Sequence, residues 1–197
     1  MQIQAKPTLY TPAEYLALEE QADEQSEYRN GEIIPMAGGT ANHNRIAGEF
    51  YKRFPTEISD QEYEVFIGDM KLWISDIPLY TYPDVLVIQG DPIYHQNRKD
   101  TVENPHLILE VLSKSTRQYD QTDKFDAYRT LPSLQEYVMV DQYSFWVKQF
   151  AKNDQNQWVL TELTGEEAIL KLVSVNFEIR LADLYQRVKF EEDLEPT

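Results

Sequence analysis

The sequence predicts one α/β or α+β domain built around a mixed β-sheet. Three observations carry this. Apolar-periodic segments follow the order helix, several strands, helix, then strands. Two runs, Val85-Leu86-Val87-Ile88 and Leu107 to Leu112, are almost continuously apolar, as strands covered on both faces are. No internal repeat, low-complexity segment or linker divides the 197 residues, so the whole stretch 1–197 is expected to share a single core.

The elements follow in chain order. TPAEYLALEEQADEQ reads as an acidic surface helix, with Thr11 to cap it, Pro12 to begin it and Glu14 as the capping-box partner. Asn30-Gly31 predicts a tight turn leading into a short strand, EIIPM. MAGGTANHN reads as a flexible loop. In RIAGEFYKRFPTEI, Ile46, Ala47, Phe50, Tyr51 and Phe54 recur at helical spacing, and Pro55 limits the helix. EYEVFIG and MKLWIS are strands on either side of Gly68-Asp69, a turn or a bulge. TYPDVLVIQG is an extended run with Pro83-Asp84 at its start and Gly90 at its end. A polar loop, DPIYHQNRKDTVEN, then leads to the strand of NPHLILEVLSKST. DQTDKFDAYRTLPS predicts a helix with Asp120 at the cap, Asp123 at the third position and Pro132 as its stop. LQEYVMVDQ and FWVKQFAK form a hairpin around Gln142-Tyr143. NQWVLTELTG and VNFEIRLADLYQRV supply further strands and a terminal helical segment.

Composition excludes several chemistries. There are no cysteines, hence no disulfide, thiolate zinc site or cysteine nucleophile. The N-terminus lacks a signal-peptide pattern and no run is long enough to span a membrane, so a soluble cytoplasmic protein is expected. Of the histidines, His95 and His106 flank the polar loop and are expected at the surface. His43 falls at a loop-to-helix junction, where it would contact a site or cap the helix. No HExxH, no G-x-S-x-G elbow around Ser113 or Ser115, and no P-loop is present. Net charge is −16, which repels polyanions at long range. The charge is uneven: up to Met70 thirteen acidic residues face five basic ones, whereas from His95 to Thr130 there are six of each. A divalent metal bound there would tip that stretch positive.

Glu110 is the anomaly. It interrupts an apolar strand, and an ionised carboxylate taken out of water without a partner costs several kcal/mol or more. Asp84 opens the other apolar strand. Were the two strands neighbours, the carboxylates would meet at one point, where two like charges need a cation. A hard divalent ion answers that need. Lys124, Phe125, Tyr128 and Leu131 share one helical stripe, so Lys124 borders the buried face and can snorkel outwards or aim its ammonium at the carboxylates. A structural ion pair of Glu110 with Lys124 would satisfy both residues without catalysis. Asp84, taken alone, reads more readily as a turn residue at the start of its strand than as a ligand.

Taken together and in order, EYRNGEIIPMAGGTANHNRIAG, DMKLWI, TYPDVLVI, NPHLILEVLSKST, DKFDAYRTLPSLQEYVMVD and FEIRLADLY resemble the bacterial "putative restriction endonuclease" family of the PD-(D/E)xK nuclease superfamily. The resemblance runs from about Thr8 to about Phe190. It implies a restriction-endonuclease-like core, a central mixed sheet flanked by helices, and hydrolysis of phosphodiester bonds with Mg²⁺, Mn²⁺ being a substitute. It implies a nucleic-acid partner, DNA foremost, and by analogy with duplex cleavage a homodimer. Asp84 and Glu110 match the metal-binding acids, and the backbone carbonyl of Val111 would be a third ligand. Leu112 stands where the signature has lysine; Lys124 matches the lysine as it occurs on the following helix in this branch. Asp69, Glu49 or Glu27 would add an acidic ligand. The other reading is a nuclease-fold interaction module without turnover, its acids held by Lys124.

Overall fold

All six residues from Leu107 to Leu112 are buried, and the sheet order explains how. The computed structural model describes residues 8–36 and 38–190. In chain order these form α1 (Pro12–Glu19), β1 (Ser26–Arg29), β2 (Glu32–Pro35), α2 (Ala41–Arg53), β3 (Glu57–Ile58), β4 (Gln61–Ile67), β5 (Lys71–Ile74) and β6 (Leu79–Thr81). There follow β7 (Val85–Gln89), β8 (Thr101–Val102), β9 (Leu107–Leu112), α3 (Arg117–Gln121), α4 (Asp123–Tyr128), β10 (Glu136–Asp141) and β11 (Trp146–Lys152). The last are β12 (Trp158–Thr164), β13 (Ile169–Leu172), β14 (Phe177–Arg180) and α5 (Leu181–Leu184). None of the described helices is long and apolar enough to cross a membrane.

The predicted mixed sheet is present, with seven strands in the order β12-β11-β10-β9-β7-β4-β3. β9 and β10 run parallel, and the other neighbours antiparallel. A second sheet has the order β2-β1-β6-β5-β8. The pleat divides β9 between two cores. Leu107, Leu109 and Val111 pack with Ile46, Ala47 and Phe50 of α2 and with Leu181 and Leu184 of α5. Ile108 and Leu112 join Leu72, Ile74 and Leu79 of the five-stranded sheet and Ala127 and Tyr128 of α4. Glu110 shares the parity of Ile108 and Leu112, so it lies under the five-stranded sheet and α4.

The ends of the elements show where sequence signals worked and where they did not. Thr11 and Glu14 form the reciprocal capping box at α1. TANHN is not loop: α2 begins at Ala41, because Thr40 caps it by accepting from the His43 amide at 3.2 Å, in a polar first turn that carries no apolar stripe. Phe54 is extended (φ −68°, ψ 122°), the conformation Pro55 imposes on the residue before it. The helix expected from Asp120 is broken in two at Thr122 (φ −123°, ψ −90°), so Asp120 is not a cap but a buried residue of α3. TYPDVLVIQG is two strands in different sheets: Pro83-Asp84 lies where the chain leaves β6 for β7. A second crossing, from β4 to β5 through Gly68 (φ +74°), runs beside it, with the Gly68 amide donating to the Asp84 carbonyl at 3.1 Å. Replacing Thr40 by alanine should cost ~1 kcal/mol in urea denaturation; the side chain also hydrogen-bonds Gln142, which reaches the Leu112 carbonyl at 3.0 Å.

The flanking histidines are more enclosed than the sequence predicts. His95 is buried, with its ring against both Trp73 and Tyr80 and hydrogen bonds to the Tyr80 hydroxyl (3.0 Å) and Glu103. His106 is half-buried against Tyr63, its Nε2 3.2 Å from the Ser174 carbonyl. Burial pushes the His106 imidazole below the usual histidine range, and the Ser174 carbonyl offsets only part of this. A depressed folded value means that its contribution is intact above the unfolded pKa of about 6.5 and is lost as pH falls through the folded value. Urea midpoints at pH 7.5 and 5.5 should therefore fall less on acidification in His106→Gln than in wild type.

Candidate active site

β7 and β9 are antiparallel neighbours with Val85 opposite Leu109. One step further along that register, Asp84 falls opposite Glu110. The two residues are interlocked through the main chain: the Asp84 amide donates to Glu110 Oε2 at 3.4 Å, and the Val111 amide donates to Asp84 Oδ2 at 2.7 Å. From the α4 side, Lys124 Nζ stands 2.8 Å from Glu110 Oε1, and the Tyr128 hydroxyl donates to the same oxygen at 2.7 Å. The five-stranded sheet contributes Glu27 from β1, whose Oε1 is 3.5 Å from Lys124 Nζ, and α3 contributes Asp120 at 3.6 Å. Glu27 also takes the Thr81 hydroxyl and the Arg29 guanidinium, which lies 3.4 Å over the Tyr119 ring. On the α2 side, His43 Nε2 is 3.0 Å from Asp84 Oδ2.

The cluster holds more carboxyl groups than cationic side chains. Asp84, Glu110, Glu27 and Asp120 meet Lys124 and Arg29. Burial pushes the Glu110 carboxyl well above the carboxylate range; Lys124 pulls against this, while Asp84 and Asp120 push with it. Burial likewise raises Asp120, against the pull of Lys124. Glu27 is also buried, yet Lys124, Arg29 and the Thr81 hydroxyl together hold it below the usual range. Burial acts to lower Lys124, but Glu110, Glu27 and Asp120 outweigh it, and the ammonium stays charged far above its ordinary pKa.

Of the residues singled out from sequence, Asp84, Glu110, Lys124 and Glu27 converge here. Val111 offers its amide to Asp84. Asp69 is exposed and accepts from Gln25 Nε2 at 3.1 Å, and Glu49 is engaged by Lys52 (3.4 Å) and Arg53 (3.2 Å). Neither contacts the cluster through a described hydrogen bond or ion pair. Asp120 and Tyr128 are members that the sequence reading did not place in the site. Their spacing from Lys124, four residues before and four after, is the signal that would have found them. Among the described residues no group of three or more His, Cys, Asp or Glu is arranged to hold a metal ion. Asp84 and Glu110 are the two carboxylates that the β7–β9 register brings side by side.

Residues 12–182 match the Uma2 family, described as "Putative restriction endonuclease". The chain belongs to this family. It is 48% identical over 168 residues to an uncharacterised protein of Synechocystis sp., covering 85% of this chain and 95% of that one. A second uncharacterised Synechocystis protein is 34% identical over 182 residues, covering 91% of this chain and 93% of the other. The fold is similar to the crystal structure of "a putative nuclease belonging to DUF820" from Anabaena variabilis, with a TM-score of 0.70 over 90% of this chain and 98% of that one, at 20% identity. The Uma2 match takes in most of the ordered segments that carry the resemblance, including the strands of Asp84 and Glu110 and the helix of Lys124.

Proposed function

We propose that the protein is a metal-dependent nuclease that hydrolyses phosphodiester bonds, in DNA foremost, with Asp84 and Glu110 holding Mg²⁺ or its substitute Mn²⁺ and Lys124 beside the scissile phosphate. Membership of the family supports a nuclease-type function. The observation that carries the finer reading is the excess of acidic groups: four carboxyl groups converge on Lys124, Arg29 and the His43 imidazole where β7 meets β9. Like charges this close need a cation or a proton, and a divalent ion would neutralise the excess. The donor chemistry fits magnesium, which takes one or two carboxylates and keeps several waters. Asp84 supplies the open side of the pair, with a side chain 20% exposed against 4% for Glu110.

The residues divide the work. Asp84 and Glu110 would hold the ion, which when bound neutralises charge on a phosphoryl group and makes water more acidic. Lys124, kept protonated by its three carboxylates, offers a fixed cation to the negative charge that grows on the phosphoryl oxygens. Glu27, Asp120 and Tyr128 hold that ammonium and its partner in place, so little reorganisation is needed during reaction. Arg29, stacked on Tyr119 and tied to Glu27, adds positive charge at the rim, where a neighbouring phosphate would pass. A homodimer would present two such sites to the two strands of a duplex.

One feature favours the ion-pair module. Glu110 Oε1 already takes both the Lys124 ammonium and the Tyr128 hydroxyl, and the residue is 3% exposed. Calorimetric titration of Mg²⁺ or Mn²⁺ into metal-free protein separates the two readings. Binding in wild type that is lost in both Asp84→Ala and Glu110→Ala supports the nuclease and directs a screen of single- and double-stranded DNA and RNA. A wild type that binds neither ion overturns it in favour of the module.

A further inference from the structure

The α2 side of the cluster is closed by His43, which meets Asp84 from the first turn of the helix. We propose that His43 is a positioning residue that locks the Asp84 carboxylate through one oxygen and keeps the other for the divalent ion. The inference rests on the metal reading above and deepens it. Two donors converge on Asp84 Oδ2: the Val111 amide at 2.7 Å from β9, and His43 Nε2 at 3.0 Å from the first turn of α2. Both engage the same oxygen, so the carboxylate is fixed in rotation while Oδ1 is left clear of them.

The ring is built to donate from Nε2. An ionised carboxylate has no proton to give, so a bare Nε2 lone pair facing it would be repelled; the ring proton belongs on Nε2. His43 Nδ1 is buried with no hydrogen-bond partner among the described residues, so no second contact competes for the ring's orientation. The backbone of His43 is anchored separately, its amide donating to Thr40 at 3.2 Å.

Gly39 completes the fitting. A Cβ added there would lie 2.9 Å from His43 Nδ1 and 3.3 Å from Cγ, so any side chain must shift the ring from the place in which it meets Asp84. The Gly39 backbone does not lie in the left-handed region, so what glycine provides at this position is space. Groups that orient metal-binding carboxylates and imidazoles in this way typically set affinity by about 10–100-fold.

The test is Mn²⁺ titration followed by the EPR signal of the free ion, with circular dichroism and thermal melts run on every protein. Wild type should bind Mn²⁺ and Asp84→Ala should not. His43→Phe and Gly39→Ala should bind about 10–100-fold more weakly with wild-type spectra. His43→Gln, which can present an amide nitrogen near the place of Nε2, should recover most of the affinity. Loss in Asp84→Ala with wild-type affinity in His43→Phe and Gly39→Ala overturns the positioning role and leaves the metal reading standing. A His43→Gln protein as weak as His43→Phe overturns the role assigned to Nε2. Wild type that takes up no Mn²⁺ overturns the metal reading and this inference with it. Should His43→Phe fail to fold, Gly39→Ala and His43→Gln decide the matter, since neither removes a buried hydrogen-bonding group without replacement.

Discussion

Lys124→Met is expected to destabilise the fold by about 3–5 kcal/mol, the cost of leaving buried charge without its partner. The substitution keeps most of the aliphatic stem but strands Glu110, Glu27 and Asp120, which stand 2.8, 3.5 and 3.6 Å from the ammonium. Glu110→Gln is expected to cost less. Lys124 keeps Glu27 and Asp120 in that variant, the Tyr128 hydroxyl still finds an amide oxygen to donate to, and one of the four like charges is gone. A simple two-residue ion pair would lose similar amounts from either side. The unequal loss is therefore a signature of one cation serving several carboxylates. Urea denaturation of both variants at pH 7.5 measures it, and equal costs, or the reverse order, would contradict the excess of acidic groups on which the functional reading depends.

Asp84→Asn is expected to lower the rate of nucleic-acid cleavage by about a thousandfold or more while changing stability by less than about 1 kcal/mol. An asparagine oxygen can still accept from the Val111 amide and from His43, so the strand junction survives. The variant loses its negative charge, and an NH₂ takes the place of the second carboxylate oxygen. On the metal reading, several kcal/mol of charge stabilisation at a phosphoryl group would depend on the ion that Asp84 holds, and each decade of rate is worth about 1.4 kcal/mol. Initial rates on supercoiled plasmid and on single-stranded oligonucleotides in Mg²⁺ test this. An Asp84→Asn protein with more than about a tenth of wild-type activity would remove Asp84 from the mechanism.

Much of the site was legible in the sequence because a charge inside an apolar run is expensive and so conspicuous. Glu110 and Asp84 were visible for that reason, and Lys124 because it falls on the same helical stripe as Tyr128 and Leu131. What stayed hidden depends on contacts between segments distant in sequence. Asp120 precedes a helical pattern as a cap would, and only the break at Thr122 turns it into the cluster. TYPDVLVIQG is apolar with no gap, and nothing local marks the step from one sheet to the other at Asp84. His95 lies in a polar loop, yet Trp73 and Tyr80, from strands well before it, enclose the ring. Asp69 is offered as a ligand only by the resemblance to the nuclease family, and its side chain accepts from Gln25 instead of reaching the cluster.

The order in which the cluster's members are translated has a consequence for the cell. Glu27 is positioned by pairing of β1 with β6, Asp84 by pairing of β7 with β9, and Lys124 arrives last, on a helix laid across both sheets. Each of these pairings closes a long loop, so none is formed early or locally. A polypeptide still on the ribosome, or one released prematurely before residue 124, holds acidic residues that mutually repel and has no ammonium to gather them. On the nuclease reading, a chain cut short before residue 124 would lack the cation proposed to stand beside the scissile phosphate.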